Sequence, residues 1–389
     1  MTRYPKIILF TGMLVTFVLG SIHAFSIFIH SLETLLGESR GNISLVYSMA
    51  LVCLTLFVLF GYRFYRLSSP ASIVIASCGG AAIGMLITAL AQQLWQVFVG
   101  YSLIFGAANG LGYGFVLQLV AREMPDHKGF AMGAVTAAYA IGATVFARVL
   151  SEFITPQSSA GAFLFMACSL LLAGSVAGTV LWFTRTRYHD LSGNVTNFKA
   201  DSHHVSLYWI AYGLSVFAGL MAIGHAAGIV QSGHSNQMNN SSLAIWGAVL
   251  IGAGNAIGGF AAGYLCDRIP VRKLLTGLPL VSAICLFALA LSDHASLSAA
   301  VLSLVGLTYG AIIAVYPYAI NLQFGDHDGP RVYGLVFTAW GFAGLVGPWL
   351  AGTLYDNSGS YSVPLAVAGI AALLSATTVI FSIIASDPV

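Results

Sequence analysis

The chain alternates long apolar stretches with short polar ones, and the alternation gives twelve apolar stretches. A helix that crosses a bilayer needs about 20 predominantly apolar residues, and each stretch reaches that length. The pattern therefore predicts an all-α integral membrane protein with twelve transmembrane helices. The predicted spans are 7–30, 43–65, 71–91, 96–121, 130–154, 161–184, 207–231, 242–266, 272–292, 296–322, 331–355 and 361–385.

The composition supports a lipid-facing surface. Of the 389 residues, 58% are hydrophobic and 7% are charged, and the mean hydropathy is +0.87. Soluble domains carry about 25% charged residues, because their surface faces water. The 43 glycines agree with this reading, since small residues let membrane helices approach closely.

The longest polar segment, 185–206, divides the predicted spans into two groups of six. Such a division is typical of transporters built from two parallel repeats. We therefore predict a six-helix bundle over 1–184, a cytoplasmic linker over 185–206 and a second six-helix bundle over 207–389.

Lysine and arginine in the loops predict the orientation of the spans. With both termini in the cytoplasm, thirteen of the fifteen basic residues fall on the cytoplasmic side. Arg40 alone lies in an outer loop, and Arg148 lies within a span. The cytoplasmic residues are Arg3, Lys6, Arg63, Arg66, Arg122, Lys128, Arg185, Arg187, Lys199, Arg268, Arg272, Lys273 and Arg331.

The short loop after the eighth span carries a charge motif that predicts a gate. It reads Gly263-Tyr-Leu-Cys-Asp267-Arg268-Ile-Pro-Val-Arg272-Lys273. The glycine permits close helix contact, and Asp267 can pair with basic groups in one state and release them in another. This loop resembles the signature loop of the major facilitator superfamily. The corresponding loop of the first half, which begins at Gly61, lacks the aspartate.

Two longer stretches narrow the resemblance. The first runs from Ala108 to Gly114 and continues through Met124 to Gly133; the second runs from Tyr316 through Phe324 to Pro348. Both resemble the oxalate/formate antiporter family and the related monocarboxylate porters. The resemblance implies the major facilitator fold. It also implies alternating-access transport of a small organic anion, as an exchanger or proton symporter, through a cavity lined by the first, fourth, seventh and tenth helices.

The chain departs from the oxalate exchangers at two positions. Those proteins place an arginine in the eighth helix and a lysine in the eleventh, where this chain has Gly259 and Trp340. Asn255 does match the family pattern. The missing cations argue against oxalate, a dicarboxylate, and favour a monocarboxylate.

Arg148 is the predicted anion clamp, because an ionisable group within a span is costly and marks a functional site by default. Its guanidinium forms a fork that suits a carboxylate. Two alternatives stay open from sequence. Arg148 can pair with Glu152 one turn later, or its side chain can extend to the outer surface.

His23 and His225 are the candidate proton-coupling residues. They occupy related places in the first and seventh spans, and at 1.5 Å per residue they lie at a similar depth to Arg148. A histidine with its ordinary pKa near 6.5 can carry a proton under physiological conditions. The alternatives are a neutral histidine bonded to a neighbouring helix and, more weakly, a metal ligand.

Polar and aromatic side chains at mid-depth complete the predicted substrate site. Amide and hydroxyl groups there either bind substrate or join helices by hydrogen bonds. Besides Arg148, the predicted substrate-binding residues are Asn109, Tyr139, Asn255, Tyr316 and Trp340.

The sequence shows no phosphate-binding loop of the Walker type and no nucleophile–base motif. We therefore expect no enzyme activity, cofactor, resident metal or nucleic-acid partner. The expected function is a monomeric secondary transporter of a small organic anion, in contact with membrane lipids and coupled to protons or to exchange, in a bacterial inner membrane. The alternatives are efflux of an uncharged or cationic compound or of a metal chelate, and a non-transporting sensor on the same fold.

Overall fold

The computed structural model describes residues 4–65, 68–155, 158–187, 202–232, 237–266 and 268–381. It confirms the all-α prediction, because twelve helices are long and apolar enough to span a bilayer. These are α1 Pro5–Ile27, α2 Arg40–Phe60, α3 Pro70–Ala89, α4 Leu94–Glu123, α5 Gly129–Ser151, α6 Ala160–Phe183, α7 Ser202–Gln231, α8 Leu243–Cys266, α9 Val271–Ala290, α10 Ala295–Phe324, α11 Val332–Ser358 and α12 Ser362–Phe381.

The helix boundaries follow local signals. Ser39 caps α2 and Ser69 caps α3, each accepting a hydrogen bond from the backbone N–H three residues later. Short helices over Ile29–Leu36 and Tyr62–Tyr65 follow α1 and α2, and a 3-10 turn over Pro125–His127 links α4 to α5.

The break predicted between α10 and α11 is confirmed, because the indole of Trp340 on α11 bonds at 2.8 Å to the hydroxyl of Tyr309 on α10. A continuous straight helix would separate these two residues by about 46 Å, so the chain turns back between the two spans.

The chain divides into two compact units, Met1–Leu191 and Ser192–Val389. The first contains α1 to α6 and the second contains α7 to α12. Helix α7 begins at Ser202, inside the segment predicted as the linker, and residues 188–201 of that segment lie outside the described part of the chain.

Large apolar side chains cover the exposed surface of both units. Examples are Leu90, Leu172, Phe183, Ile284 and Leu291, which are all exposed. In water such a surface would drive association. In a bilayer it faces hydrocarbon, while each helix satisfies its backbone hydrogen bonds internally.

Two spans of the first unit leave regular α-geometry close to each other. Helix α1 ends in a 3-10 segment over Gly20–Ile27, and α4 contains a π-helical segment over Phe98–Phe105. Side chains of α4 bond to backbone carbonyls of α1: Tyr101 donates to the Ile22 oxygen at 3.0 Å and Asn109 to the Leu19 oxygen at 2.7 Å. These bonds stabilise the end of α1 from outside the helix, which places His23 on a segment held by α4.

Candidate functional site

The first unit gathers a polar and aromatic cluster around His23. Its Nδ1 atom shares a hydrogen bond of 2.6 Å with the hydroxyl of Tyr47 on α2. Its ring lies edge-on to the ring of Tyr139 on α5, with centroids 5.6 Å apart. Tyr47 is fully buried and stacks on Phe25 of α1. His23 itself is partly exposed, and Tyr47 bonds to its ring.

Asn109 joins three helices behind this cluster. The Tyr139 hydroxyl donates to its Oδ1 atom at 3.0 Å, and its Nδ2 atom donates to the Leu19 carbonyl at 2.7 Å. Asn109 is fully buried, whereas Tyr113, whose ring centroid is 4.8 Å from that of Tyr139, is partly exposed. The predicted residues Asn109, Tyr139 and His23 therefore come together, with Asn109 behind Tyr139.

Trp340 is the centre of an aromatic group in the second unit. Its indole Nε1 donates to the hydroxyl of Tyr309 on α10 at 2.8 Å, and its ring stacks on Phe337 at 5.6 Å between centroids. Asn255 on α8 lies against the same part of α10, because its backbone oxygen would be 2.0 Å from a Cβ atom on Gly310. Asn255 is partly exposed.

Tyr316 lies in a separate cluster of buried tyrosines. Its ring centroid is 4.7 Å from that of Tyr212 and 6.3 Å from that of Tyr208, both on α7. Its hydroxyl is buried beside Ser215 and Ser375 but makes no hydrogen bond within the described part of the chain. Tyr208 differs in this respect, because its hydroxyl donates a hydrogen bond to Oε1 of Gln323 at 2.7 Å.

His225 is enclosed by hydrogen-bond partners. Its Nδ1 atom is 2.9 Å from the hydroxyl of Tyr361, and its Nε2 atom is 2.8 Å from the carbonyl oxygen of Pro348. A carbonyl only accepts, so Nε2 carries a proton; in the neutral ring Nδ1 then accepts from the tyrosine hydroxyl. With 0% of the residue exposed, His225 joins α7 to α11 and to Tyr361, the residue before α12. This geometry matches the alternative of a neutral histidine bonded to neighbouring helices.

Arg148 lies in the last turn of α5 and forms an ion pair with Glu152. The side chains of the two residues are 49% and 63% exposed. The pair is the local alternative considered from sequence, and a guanidinium at a helix C-terminus also interacts favourably with the helix dipole. A carboxylate ligand at Arg148 would have to compete with Glu152 for the guanidinium.

The predicted gating loop is described in part. Gly263 belongs to α8, and Asp267 lies outside the described residues. The guanidinium of Arg268 lies over the Tyr264 ring at 4.0 Å. Arg272 donates to the carbonyl oxygen of Ile380 near the end of α12 at 2.9 Å, which links the start of α9 to α12.

Tyr47 and Tyr309 bond directly to predicted residues but were not themselves predicted as site residues. Tyr47 lies within a predicted apolar span, and its hydroxyl was the one feature of the sequence that could have indicated a polar contact there. Tyr309 is likewise a tyrosine within a predicted apolar span. Their contacts with His23 and Trp340 come from other helices, so sequence spacing does not indicate them.

Comparison with known proteins gives a consistent picture. The sequence model described as "Major Facilitator Superfamily" matches residues 208–389. The uncharacterized MFS-type transporter YhjX of Escherichia coli K12 is 21% identical over 352 residues, covering 88% of this chain and 86% of that protein. The oxalate:formate antiporter of Oxalobacter formigenes is 23% identical over 305 residues, covering 72% and 68% respectively.

Two further similarities bear on substrate and fold. The multidrug efflux pump Tap of Mycobacterium tuberculosis H37Rv is 28% identical over 123 residues, 32% of this chain and 29% of that protein. The crystal structure of the nucleoside transporter NupG superposes with a TM-score of 0.71 at 13% identity, covering 96% of this chain and all of that one. At that identity the superposition shows a shared fold alone.

Proposed function

We propose that this chain is a transporter of the major facilitator superfamily, a multi-pass membrane protein rather than an enzyme, and that its substrate is a small organic anion, a monocarboxylate. It would move the anion by alternating access, as an exchanger or a proton symporter. Transporters of this kind bind small molecules near mid-membrane, where irregular helix segments expose polar groups. The 3-10 segment that holds His23 fits that description.

One observation carries the anion proposal. The twelve spans contain acidic residues only in the last turn of a helix, Glu123 in α4 and Asp356 in α11. The clusters around His23 and Trp340 instead offer imidazole, phenol and amide groups, which can donate hydrogen bonds to a carboxylate. A cationic substrate would be expected to meet a carboxylate within the spans. The 23% identity with the oxalate:formate antiporter agrees with an organic anion.

Of the substrate-binding residues predicted from sequence, we keep Arg148, Tyr139, Asn255, Tyr316 and Trp340 in that role. Asn109 is hydrogen-bonded on both sides of its amide, so we assign it to holding Tyr139 in place. Tyr139, with partly exposed His23 and Tyr113 beside it, is the better candidate for direct contact with substrate.

Arg148 as an anion clamp is tested by a pair of variants. Arg148→Gln removes the guanidinium, whereas Glu152→Gln breaks the same ion pair but leaves the guanidinium in place. If Arg148 binds the carboxylate, Arg148→Gln abolishes uptake of labelled monocarboxylates into proteoliposomes and Glu152→Gln retains it. If Arg148→Gln takes up substrate at the wild-type rate, or if both variants lose uptake equally, Arg148 does not bind the substrate. Its role would then be limited to the exposed ion pair with Glu152.

Efflux of an uncharged or cationic compound, or of a metal chelate, is the second candidate. Two observations favour it. The chain is similar to the Tap efflux pump over about a third of its length. It also has Gly259 and Trp340 at the two positions where oxalate exchangers carry an arginine and a lysine. A thermal-shift screen of purified protein separates the candidates. Stabilisation by monocarboxylates supports the anion carrier, and stabilisation by lipophilic cations alone supports efflux.

The remaining proposals concern setting and control. We place both termini in the cytoplasm and the protein in a bacterial inner membrane as a monomer, on the strength of the loop charges and the resemblance. For proton coupling we favour His23 over His225, because His23 is partly exposed whereas His225 is fully buried. For the gate we keep Gly263, Asp267, Arg268 and Arg272, the last of which reaches α12.

A further inference from the structure

The fourth helix of each half carries the same glycine motif. It reads Gly106-Ala-Ala-Asn109-Gly110 in α4 and Gly306-Leu-Thr-Tyr309-Gly310 in α10. In α4, a Cβ atom on the second glycine would lie 2.2 Å from the carbonyl oxygen of Leu54 on α2. In α10, the same addition would lie 2.0 Å from the oxygen of Asn255 on α8. The motif thus packs the fourth helix of each half onto its second helix, in matching register.

The residue before the second glycine accepts a hydrogen bond from an aromatic residue of the fifth helix. Tyr139 of α5 donates to Asn109 at 3.0 Å, and Trp340 of α11 donates to Tyr309 at 2.8 Å. All four residues are buried. Each half therefore repeats one arrangement, in which a buried acceptor on the fourth helix holds a ring of the fifth helix.

The same residue also meets the first helix of its half. Asn109 donates to the Leu19 carbonyl of α1. Tyr309 packs its ring against Gly219 of α7, where an added Cβ atom would lie 2.3 Å from the ring. The fourth-helix residue is therefore buried between two neighbouring helices, and its hydrogen bond fixes the orientation of the fifth-helix ring.

We propose that Tyr309 is a positioning residue for substrate recognition, the second-half counterpart of Asn109, and that it acts by orienting the Trp340 ring. This inference rests on the proposed function, in which Trp340 and Tyr139 contact the substrate. Trp340 has one donor and no acceptor, so loss of the Tyr309 hydroxyl removes the hydrogen bond that fixes its indole N–H and lets the ring reorient. Orientation of this large apolar ring then sets which hydrocarbon portion of a carboxylate fits.

The test is a double-mutant cycle on the Tyr309 and Trp340 pair. Tyr309→Phe removes the acceptor and keeps the ring against Gly219, and Trp340→Phe removes the donor. Tyr318→Phe, an exposed tyrosine on the same helix, is the matched control. Counterflow in proteoliposomes is measured with formate, acetate, butyrate and benzoate, giving KM and maximal rate for each.

Tyr309→Phe is expected to raise KM for the carried carboxylates about fivefold, as loss of one buried hydrogen bond implies, with the maximal rate nearly unchanged. The double variant is expected to match Trp340→Phe, because both changes break one bond. Tyr318→Phe is expected to match wild type. A merely structural role would lower yield and maximal rate without altering KM or the order of preference among the four acids, and that result would overturn the inference.

The outcomes also separate this inference from the function on which it rests. If Trp340→Phe alters the order of preference and Tyr309→Phe does not, or if their effects add in the double variant, the positioning role is wrong and the carboxylate function stands. If the wild-type protein carries none of the four acids, and none stabilises it in a thermal-shift assay, the monocarboxylate function fails and this inference fails with it.

Discussion

The two halves each hold a histidine within the first of their spans, and the surroundings of these histidines differ. His225 of α7 is fully buried, with a protein hydrogen bond on each ring nitrogen. His23 of α1 is partly exposed, lies on a 3-10 segment and bonds through Nδ1 to Tyr47. The difference teaches that a shared residue type at related places in two repeats does not imply a shared role.

The contrast has a physical basis. When both nitrogens of a buried imidazole bond to protein, those bonds join helices. Proton exchange at such a ring would have to break at least one of these buried hydrogen bonds. A partly exposed imidazole beside an irregular helix segment can change partners at lower cost. We therefore expect changes at His225 to act on folding and changes at His23 to act on transport.

The largest expected effect is on stability, at His225. His225→Ala removes two buried hydrogen bonds and leaves a cavity next to Tyr361 and Pro348, so we expect a loss of about 3 kcal/mol or more. The measurement is thermal unfolding of the purified protein in detergent. His294→Ala, at an exposed histidine, is the control and should change stability by less than about 0.5 kcal/mol. Equal stability of both variants would show that the His225 bonds do not matter to the fold.

A smaller effect is expected where the fifth helix of each half crosses the first. A Cβ atom on Gly142 of α5 would lie 1.8 Å from the Phe17 oxygen of α1, whereas one on Gly347 of α11 would lie 3.3 Å from the Phe217 oxygen of α7. Gly142→Ala must push α1 and α5 apart, at a cost of about 1–3 kcal/mol. Gly347→Ala requires only a small shift and gains helix propensity.

Thermal unfolding of the two alanine variants checks this second comparison. The Gly142→Ala protein should unfold at a clearly lower temperature, and the Gly347→Ala protein should stay near wild type. Because α1 holds His23 and α5 holds Tyr139, the first variant should also lose uptake. If Gly347→Ala proves the more damaging of the two, the closer crossing does not lie in the first half.

The spans could be predicted from sequence because their cause is local. A bilayer cannot bond to backbone amides, so a long apolar stretch must form a helix whatever its neighbours are. The pairing of Arg148 with Glu152 was also foreseeable as an alternative, since residues four apart share a helix face.

The site was less predictable because its contacts join distant segments. The partners of His225 lie 123 and 136 residues away along the chain, and Tyr47, Asn109 and Tyr139 meet near His23 from three different helices. Hydropathy gives the depth of a residue in the membrane but not the face of the helix that it occupies when the whole helix is apolar. Sequence therefore identified His23 and His225 equally, and only packing distinguishes them.

The smallest effect on stability is expected at His23. This prediction also tests most directly whether His23 and His225 have different roles. His23→Gln keeps a side chain that can bond to Tyr47, so the loss in stability should be about 1 kcal/mol. If His23 carries the coupled proton, wild-type uptake rises when the outside is made more acidic than the vesicle interior, and the variant loses that response while keeping exchange between equal pH values. Tyr47→Phe, which removes the hydroxyl but leaves the imidazole, should weaken the response without abolishing it. If wild-type uptake does not depend on the pH gradient, transport is not coupled to protons, and His23 is a hydrogen-bonding group only. If His23→Gln keeps the response to the gradient, another group carries the proton. We would not assign that role to His225, because its ring bonds to Tyr361 and Pro348.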